Sequence, residues 1–397
     1  MSAVFVEAPA PLDPDLAAEV AKQSAHASRS ICGLRWDADR RIARVEIASE
    51  DAADEVADKV RRLVASMALR HRAQPKKTLG ANVRSHAAPM IAAVEAAMIE
   101  RGWLREPGPG QVVLSGPPLA FARALDARIA TLAKEQLHAR EEAYPALIPS
   151  GLLHRCGYVA SFPQSLSMVT HLTEDLDAIE RFRKANSAST SLAIPEPSAL
   201  AHPSVCLSPA VCYHFYPSLE RLRIAKDVVV ATASSRCFRY ESRNMRGLSR
   251  LWDFTMREVM FVGTSEAVAA TRRALVQCAI RLGEELDLDF TVESASDPFF
   301  CSDFAQKSYW QARNDLKFEM KLAVPSAGGE ARTVAAASFN LHEDHFGQVF
   351  DILDEHELPA SSGCAAWGIE RWVLAAFAQH GLDASRWPAS FRDAVFG

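Results

Sequence analysis

Apolar residues recur along this chain at two spacings, and the changes from one to the other mark its elements. Over 34–48 they come to alternate with polar ones, at Val45 and Ile47, which predicts strands around the Asp37-Ala38-Asp39 turn. From Ser49, read as a helix cap, the spacing lengthens through about residue 70, with Val56, Val60, Leu63, Val64 and Met67 on one face. Ahead of these, 1–30 is rich in Ala, Pro and Ser and is expected to be mobile up to a short helix over 13–23. A basic linker with Pro75 and Gly80 leads to a helix over 87–101. The turn-rich 104–121 follows, and Pro117 or Pro118 opens a long helix to about residue 144, with Leu125, Ile129, Leu132 and Leu137 on its apolar face. Strand character gathers at 228–232, 252–262, 318–324 and 333–341, with helices at 266–282 and 368–380. Strands grouped centrally with helices beside them predict an α+β fold, an antiparallel sheet flanked by helices, with a small N-terminal α+β appendage over 1–90.

Composition narrows the classes. The chain has 397 residues, 49% hydrophobic and 23% charged, an ordinary globular balance. A net charge of −5 weighs against tight nucleic-acid binding, although Arg70, His71, Arg72, Lys76 and Lys77 form a local basic patch. No run of apolar residues is long enough for a membrane span, and the start lacks a basic-then-apolar leader, so a cytoplasmic location is expected. The 8 cysteines include no CxxC pair, which argues against a disulfide framework and a treble-clef zinc site; most are expected to be small buried hydrophobes. No common glycine-rich phosphate loop is present. His342 and His345 fall in a strand-turn that would point them to opposite faces, so no metal pair is expected there.

One stretch carries more. Residues 237–262 read CFRYESRNMRGLSRLWDFTMREVMFV. This resembles motif 2 of class II aminoacyl-tRNA synthetases, the seryl enzymes in particular: Phe238-Arg239-x-Glu241, then Gly247-Leu248-x-Arg250, then Phe254 and Glu258. Such a motif is two antiparallel strands and a loop. An arginine on a rigid strand can fork onto the α-phosphate of ATP and stabilise charge that grows there. Glu241, two residues on, would share its strand face and accept from the adenine amino group. Near the other end, SSGCAAWGIERWVLAAF resembles motif 3, with Arg371 in the first turn of a hydrophobic helix, where the resemblance implies stacking on adenine. GYVASFPQSL, with Pro163, looks like motif 1, the dimer-forming helix, strand and proline.

Within that family the chain is similar to the atypical methanogenic seryl enzyme and to its bacterial relatives, the amino acid:carrier-protein ligases. Both hold zinc on Cys, Glu and Cys, and the matching segments here supply Cys212, Glu258 and Cys364. Two thiolates and one carboxylate would leave a fourth position for the substrate's α-amino group. SDPFF, QARNDLKFEMKLAV and ASFNLHEDHFG resemble the carrier ligases specifically. By this resemblance ATP, with Mg2+, is bound by Arg239, Glu241, Arg250, Leu251, Lys317, Ser338, Asn340 and Arg371, with Glu258 at the amino acid. It spans roughly 110–397, and a short helix near 298–315 is expected to help dock the carrier. No sustained heptad suggests a tRNA-reading coiled coil, and the first 110 residues are not markedly basic. The expected activity is therefore ATP-dependent activation of glycine, alanine or serine and transfer to the phosphopantetheine thiol of a carrier protein, by a homodimer. The alternatives are tRNA aminoacylation and a non-catalytic sensor; the presence of both arginines favours an enzyme.

Overall fold

The computed structural model describes residues 2–49, 52–69, 71, 75–85, 90–299, 301–325 and 332–396. Arg70 and Arg72 of the basic patch lie outside these. Strand β1 (Ser2–Glu7), helix α1 (Pro14–Gln23), strands β2 (Ile31–Trp36) and β3 (Ile42–Ile47) and helix α2 (Ala53–Ala68) build a small module on a sheet of order β1-β3-β2. The start of the chain is thus a strand and not a mobile tail: Val4 and Val6 alternate and pair in register with Val45 and Ala43. Asp13 caps α1, accepting from the Asp15 and Leu16 amides at 3.1 Å. Helix α2 buries its five expected apolar residues, but Ala52, not Ser49, takes the cap position.

Strand β4 (Thr78–Asn82), helix α3 (Val94–Glu100), hairpin strands β5 (Leu104–Gly108) and β6 (Gln111–Leu114), helix α4 (Gly116–Leu137) and strand β7 (Arg140–Glu141) follow. Helix α4 stops short of residue 144 because His138 adopts a left-handed φ of 51° and turns the chain into β7. Of the helix expected over 87–101, residues 87–89 lie outside the described residues and α3 is the helical part of the remainder. A subsidiary layer comprises β8 (Leu147–Pro149), α5 (Ser150–Arg155), α6 (Tyr158–Ser161), β9 (Met168–Val169), α7 (Leu176–Asn186), β10 (Val205–Leu207) and α8 (Cys212–Ser218). GYVASFPQSL holds only α6 and a 3-10 turn at Pro163–Ser165. A helix and Pro163 are present there, but the expected strand is not.

The remaining elements are β11 (Val228–Phe238), β12 (Asp253–Gly263), α9 (Ser265–Glu285), β13 (Phe290–Ser294), α10 (Cys301–Arg313), β14 (Lys317–Val324), β15 (Arg332–Glu343), α11 (His345–Phe350), β16 (Ser361–Gly368), α12 (Ile369–His380) and α13 (Ala389–Phe396). They complete an 8-stranded sheet of order β4-β13-β14-β15-β16-β12-β11-β7. Every pairing is antiparallel except the short β7–β11 contact.

Side-chain alternation gives the sheet two unlike faces. One face packs Val259, Phe261, Phe318, Met320, Phe339 and Trp367 into a large core shared with α4, α9, α12 and α13. The residues between them, among them Met256, Met260, Cys364 and Ala366, turn to a second core under α8 and α11. Glu258, Lys317, Glu319, Ser338 and Asn340 fall on that second face by the same period of two. Register then brings them together: Lys317 opposite Asn340, Asn340 opposite Cys364, Ser338 opposite Ala366 and Ala366 opposite Glu258. Gly363 makes this closeness possible, since a Cβ there would meet the Phe261 ring at 2.4 Å and the Asn340 carbonyl at 2.6 Å.

Candidate active site

The donor atoms of Cys212, Glu258 and Cys364, from α8, β12 and β16, all lie within 4.8 Å of one another, and all three residues are buried. Among the described residues this is the one such cluster of metal-ligating side chains. Glu258 is oriented by the Val211 and Cys212 amides, at 3.0 and 3.1 Å from its oxygens. Burial, and then the Cys364 sulfur, push its carboxyl up to about 8. A hydrogen bond from the Cys212 thiol, with others from His342 and Asn340, draws Cys364 toward thiolate against the effect of burial. Cys212 moves the opposite way, upward. Burial and mutual repulsion therefore keep protons on Cys212 and Glu258, and a cation that displaced them would meet two sulfurs and one carboxylate, a donor set that suits zinc. The residues present therefore fit that ion.

Two adjoining cavities, each about 950 Å³, open beside this cluster. Arg239, Glu241, Lys317 and Arg371 line both. Leu251, Ser338 and Asn340 line the inner one with the Cys-Glu-Cys cluster, and Arg250 lines the outer one. All the sequence-derived site residues thus face one continuous cleft.

Arg239 lies one residue beyond β11, yet its amide still bonds Trp252 O at 2.9 Å, so the hairpin aims it firmly. Its Nε donates to Pro209 O at 2.9 Å and its guanidinium sits 5.5 Å from the Phe254 ring centroid. Glu241 does not share a strand face with it. The chain has already turned there, with φ −102° and ψ 8° at Glu241 and a positive φ of 52° at Ser242, and the turn brings the carboxylate into the cleft. Arg250 Nη1 donates to that carboxylate at 2.8 Å. Burial would raise Glu241, but Arg250, with Lys22 and Arg371, holds it below the usual carboxylate range. Arg371, in the first turn of α12, donates from Nε to Ser249 O at 2.9 Å and from Nη1 to Ala335 O at 2.7 Å. Beside it, both oxygens of Glu370 accept from the Thr255 amide at 2.9 Å, which joins the start of α12 to β12.

Lys317 is 6% exposed and its ammonium meets Asp297 at 2.5 Å and Glu319 at 3.0 Å. Burial, which would lower the lysine, is outweighed by these carboxylates. Sequence reading singled out neither partner, and it considered His342 only to set it aside as half of a metal pair. The His342 ring lies 4.0 Å from Cys364 Sγ through Nε2 and 3.2 Å from Tyr216 Oη through Nδ1. His342 and His345 line the same inner cavity, contrary to the opposite-face expectation, because α11 begins at His345. Alternation from Asn340 could have placed His342. Asp297 sits in an irregular loop and had no such signal.

No family model matches the chain. It is 35% identical over 281 residues, 69% of this chain and 82% of the relative, to amino acid–(acyl-carrier-protein) ligase 1 of Bradyrhizobium diazoefficiens. The chain belongs to this ligase family. It is also 29% identical over 291 residues to the type-2 serine–tRNA ligase of Methanocaldococcus jannaschii, of whose length it covers 56%. Among solved structures, M. kandleri SerRS, in complex with A. aeolicus tRNASec, matches 99% of the chain and 77% of its own with a TM-score of 0.69 at 21% identity. The cytoplasmic serine–tRNA ligase of Naegleria fowleri in complex with AMP matches 88% of this chain and 72% of its own, with a TM-score of 0.60 at 11% identity. The fold is that of the class II synthetases, and the first likeness runs through the N-terminal module as well. Family members being ligases, the chain is an enzyme of that class.

Proposed function

We propose that this ligase activates a small amino acid, glycine, alanine or serine, with ATP and passes the aminoacyl group to the phosphopantetheine thiol of a carrier protein. The observation that carries the reading is the convergence of Cys212, Glu258 and Cys364 beside a cleft lined by Arg239 and Arg371. The substrate carboxylate attacks the α-phosphate in line and pyrophosphate leaves. Arg239, fixed by Pro209 O and the Phe254 ring, stabilises the charge that builds on the α-phosphate. Glu241 accepts from the adenine amino group, and Arg371 stacks on the base and reaches the tail of the triphosphate, which Mg2+ accompanies. Lys317, Ser338 and Asn340 line the floor beneath. Cys212, Glu258 and Cys364 would hold zinc, which when bound supplies a Lewis-acid anchor for the α-amino group. The thiol of the carrier then attacks the acyl carbonyl and AMP leaves, so no protein nucleophile is needed. The neighbourhood of α10 receives the carrier. Exposed Leu147, Met168 and Leu176 on the subsidiary layer offer apolar surface to a second copy.

ATP–pyrophosphate exchange with glycine, alanine and serine tests the first half-reaction; no exchange with any of them in zinc-replete protein overturns it. Loading of a phosphopantetheinylated carrier against loading of total tRNA tests the second. Charging of tRNA alone would favour the serine–tRNA ligase reading, which the likeness to the methanogenic enzymes supports.

A further inference from the structure

The first 30 residues lie outside every segment that carries the family resemblance, yet they stand at the nucleotide end of the cleft. The outer cavity has two walls. One is Arg239, Glu241, Arg250 and Arg371; the other is the end of α1 and the turn after it, including Lys22, Ser24 and Ala25. The module does not merely lie nearby. Asn244 Nδ2 donates to Lys22 O at 2.8 Å and Ser242 Oγ donates to Ala25 O at 3.1 Å, so the loop between β11 and β12 is tied to the module on both sides of Arg243. Gln23, 4% exposed, donates from Nε2 to Phe299 O at 2.8 Å, which ties the loop that carries Asp297 to the same helix end. Lys76, just beyond the module, bridges Asp15 at 3.0 Å and Glu293 at 3.6 Å. Buried polar side chains that bond across a contact specify one docking geometry, because an undocked state leaves them to be resolvated at a cost.

We propose that the N-terminal module is a working wall of the nucleotide site, in which the Lys22–Ala25 turn positions the β11–β12 loop for ATP and the Lys22 ammonium adds to the field around purine and phosphates. Lys22 already pairs with Glu19 at 3.0 Å, so it is oriented, and its charge reaches Glu241. Asp13, Asp15 and Glu19 line the module side of the same space, but its ten Lys and Arg, Arg243, Arg246 and Arg332 among them, outnumber its six Asp and Glu and leave the sign a polyphosphate needs. The proposal rests on the assignment of ATP to Arg239, Glu241 and Arg371. It adds Asn244 and Ser242 as positioning residues and Lys22 as a residue facing the ligand. By linkage, ATP should in turn tighten the module against the loop.

The test uses the full chain. ATP affinity is measured directly by calorimetry with Mg2+ present, and KM for ATP and for the amino acid by pyrophosphate exchange. The double variant S242A with N244L removes both ties. It should weaken ATP binding about tenfold, as expected for the loss of two hydrogen bonds with partial compensation by water. KM for the amino acid and bound zinc should stay within about twofold, a split that general destabilisation would not produce. Lys22→Gln should raise KM for ATP several-fold, and Lys22→Arg should restore it; Lys22 is partly exposed, so these variants remain informative if the double variant folds poorly. An unchanged ATP affinity in both the double variant and Lys22→Gln overturns the inference. If the wild type binds no ATP, the inference falls together with the nucleotide assignment; if it exchanges normally while the variants match it, the inference falls alone.

Discussion

Glu258 is 1% exposed, and its oxygens are held by the Val211 and Cys212 amides at the start of α8, so the carboxylate has one pose. That rigidity separates the effects of nearby substitutions. Cys212→Ser, Cys364→Ser or Glu258→Gln should each weaken zinc binding by at least about a hundredfold, the upper end of what is lost with residues that only orient a ligand. Elemental analysis of dialysed protein reads this directly. Arg239→Ala should leave zinc in place and lower the exchange rate by about 10²–10³, as for removal of one preorganised donor. Asp297 sets an acid limit. Burial would raise its carboxyl, but Lys317 and Gln311 outweigh this and hold it below the usual range. A carboxyl lowered in the folded state adds stability above the unfolded value near pH 4, and that stability is lost as pH falls through the folded value. The urea midpoint should therefore drop between about pH 5 and 3, and Asp297→Asn should flatten the drop. At this scale Arg239, Arg250 and Arg371 were legible because each sits in a spaced motif. Asp297 and Lys22 were not, since what makes them matter is a neighbour on a different loop.

The strands explain why residues so distant along the chain meet. With a period of two and the register Lys317–Asn340–Cys364 across three strands, alternate residues of β12, β14, β16 and the regular 337–341 stretch of β15 are delivered to the same floor. The central strands were readable from the sequence because both faces of β12 are apolar or carry motif residues. Their ends were not: β11 runs to Phe238 through Ser234 and Ser235, residues with no strand signal of their own, whose pairing with β12 overrides local preference. The early end of α4 was hidden for a similar reason, since a left-handed histidine has no spacing signature. Two substitutions test the arrangement. Gly363→Ala would press a methyl against the Phe261 ring and the Asn340 carbonyl, and should cost roughly 1–3 kcal/mol of unfolding free energy while lowering zinc occupancy at the adjacent Cys364. Arg257, 5% exposed, bonds Asp126 of α4 at 2.7 and 2.9 Å and Glu141 of β7 at 3.3 Å. Arg257→Ala should cost about 2–3 kcal/mol, less than a fully buried broken pair because both carboxylates keep some solvent. Denaturant titration measures each.

Across the whole molecule the second sheet face, α8, α11 and the N-terminal module enclose a cleft with the Cys-Glu-Cys cluster at one end and a cation-rich lining at the other. Stripping the metal with a chelator should lower the melting temperature by several degrees, as a ligand present at about a hundred times its Kd contributes roughly 2.7 kcal/mol. Readdition of zinc should restore it, which calorimetric scans will show. The division of the chain was only partly visible in the sequence, because composition changes gradually over the first 110 residues while the hydrogen-bonding partner of 78–82 lies some two hundred residues away. That partner carries a practical consequence. Strand β4 covers the rim of the sheet at β13, matching Phe290, Thr291 and Val292 with Asn82, Ala81 and Gly80. A fragment cut at residue 90 would bare those amides and carbonyls along a hydrophobic margin, ready to zip onto another molecule. Such a shortened protein should elute as self-associated species on gel filtration, and adding back the missing strand as a peptide should disperse them.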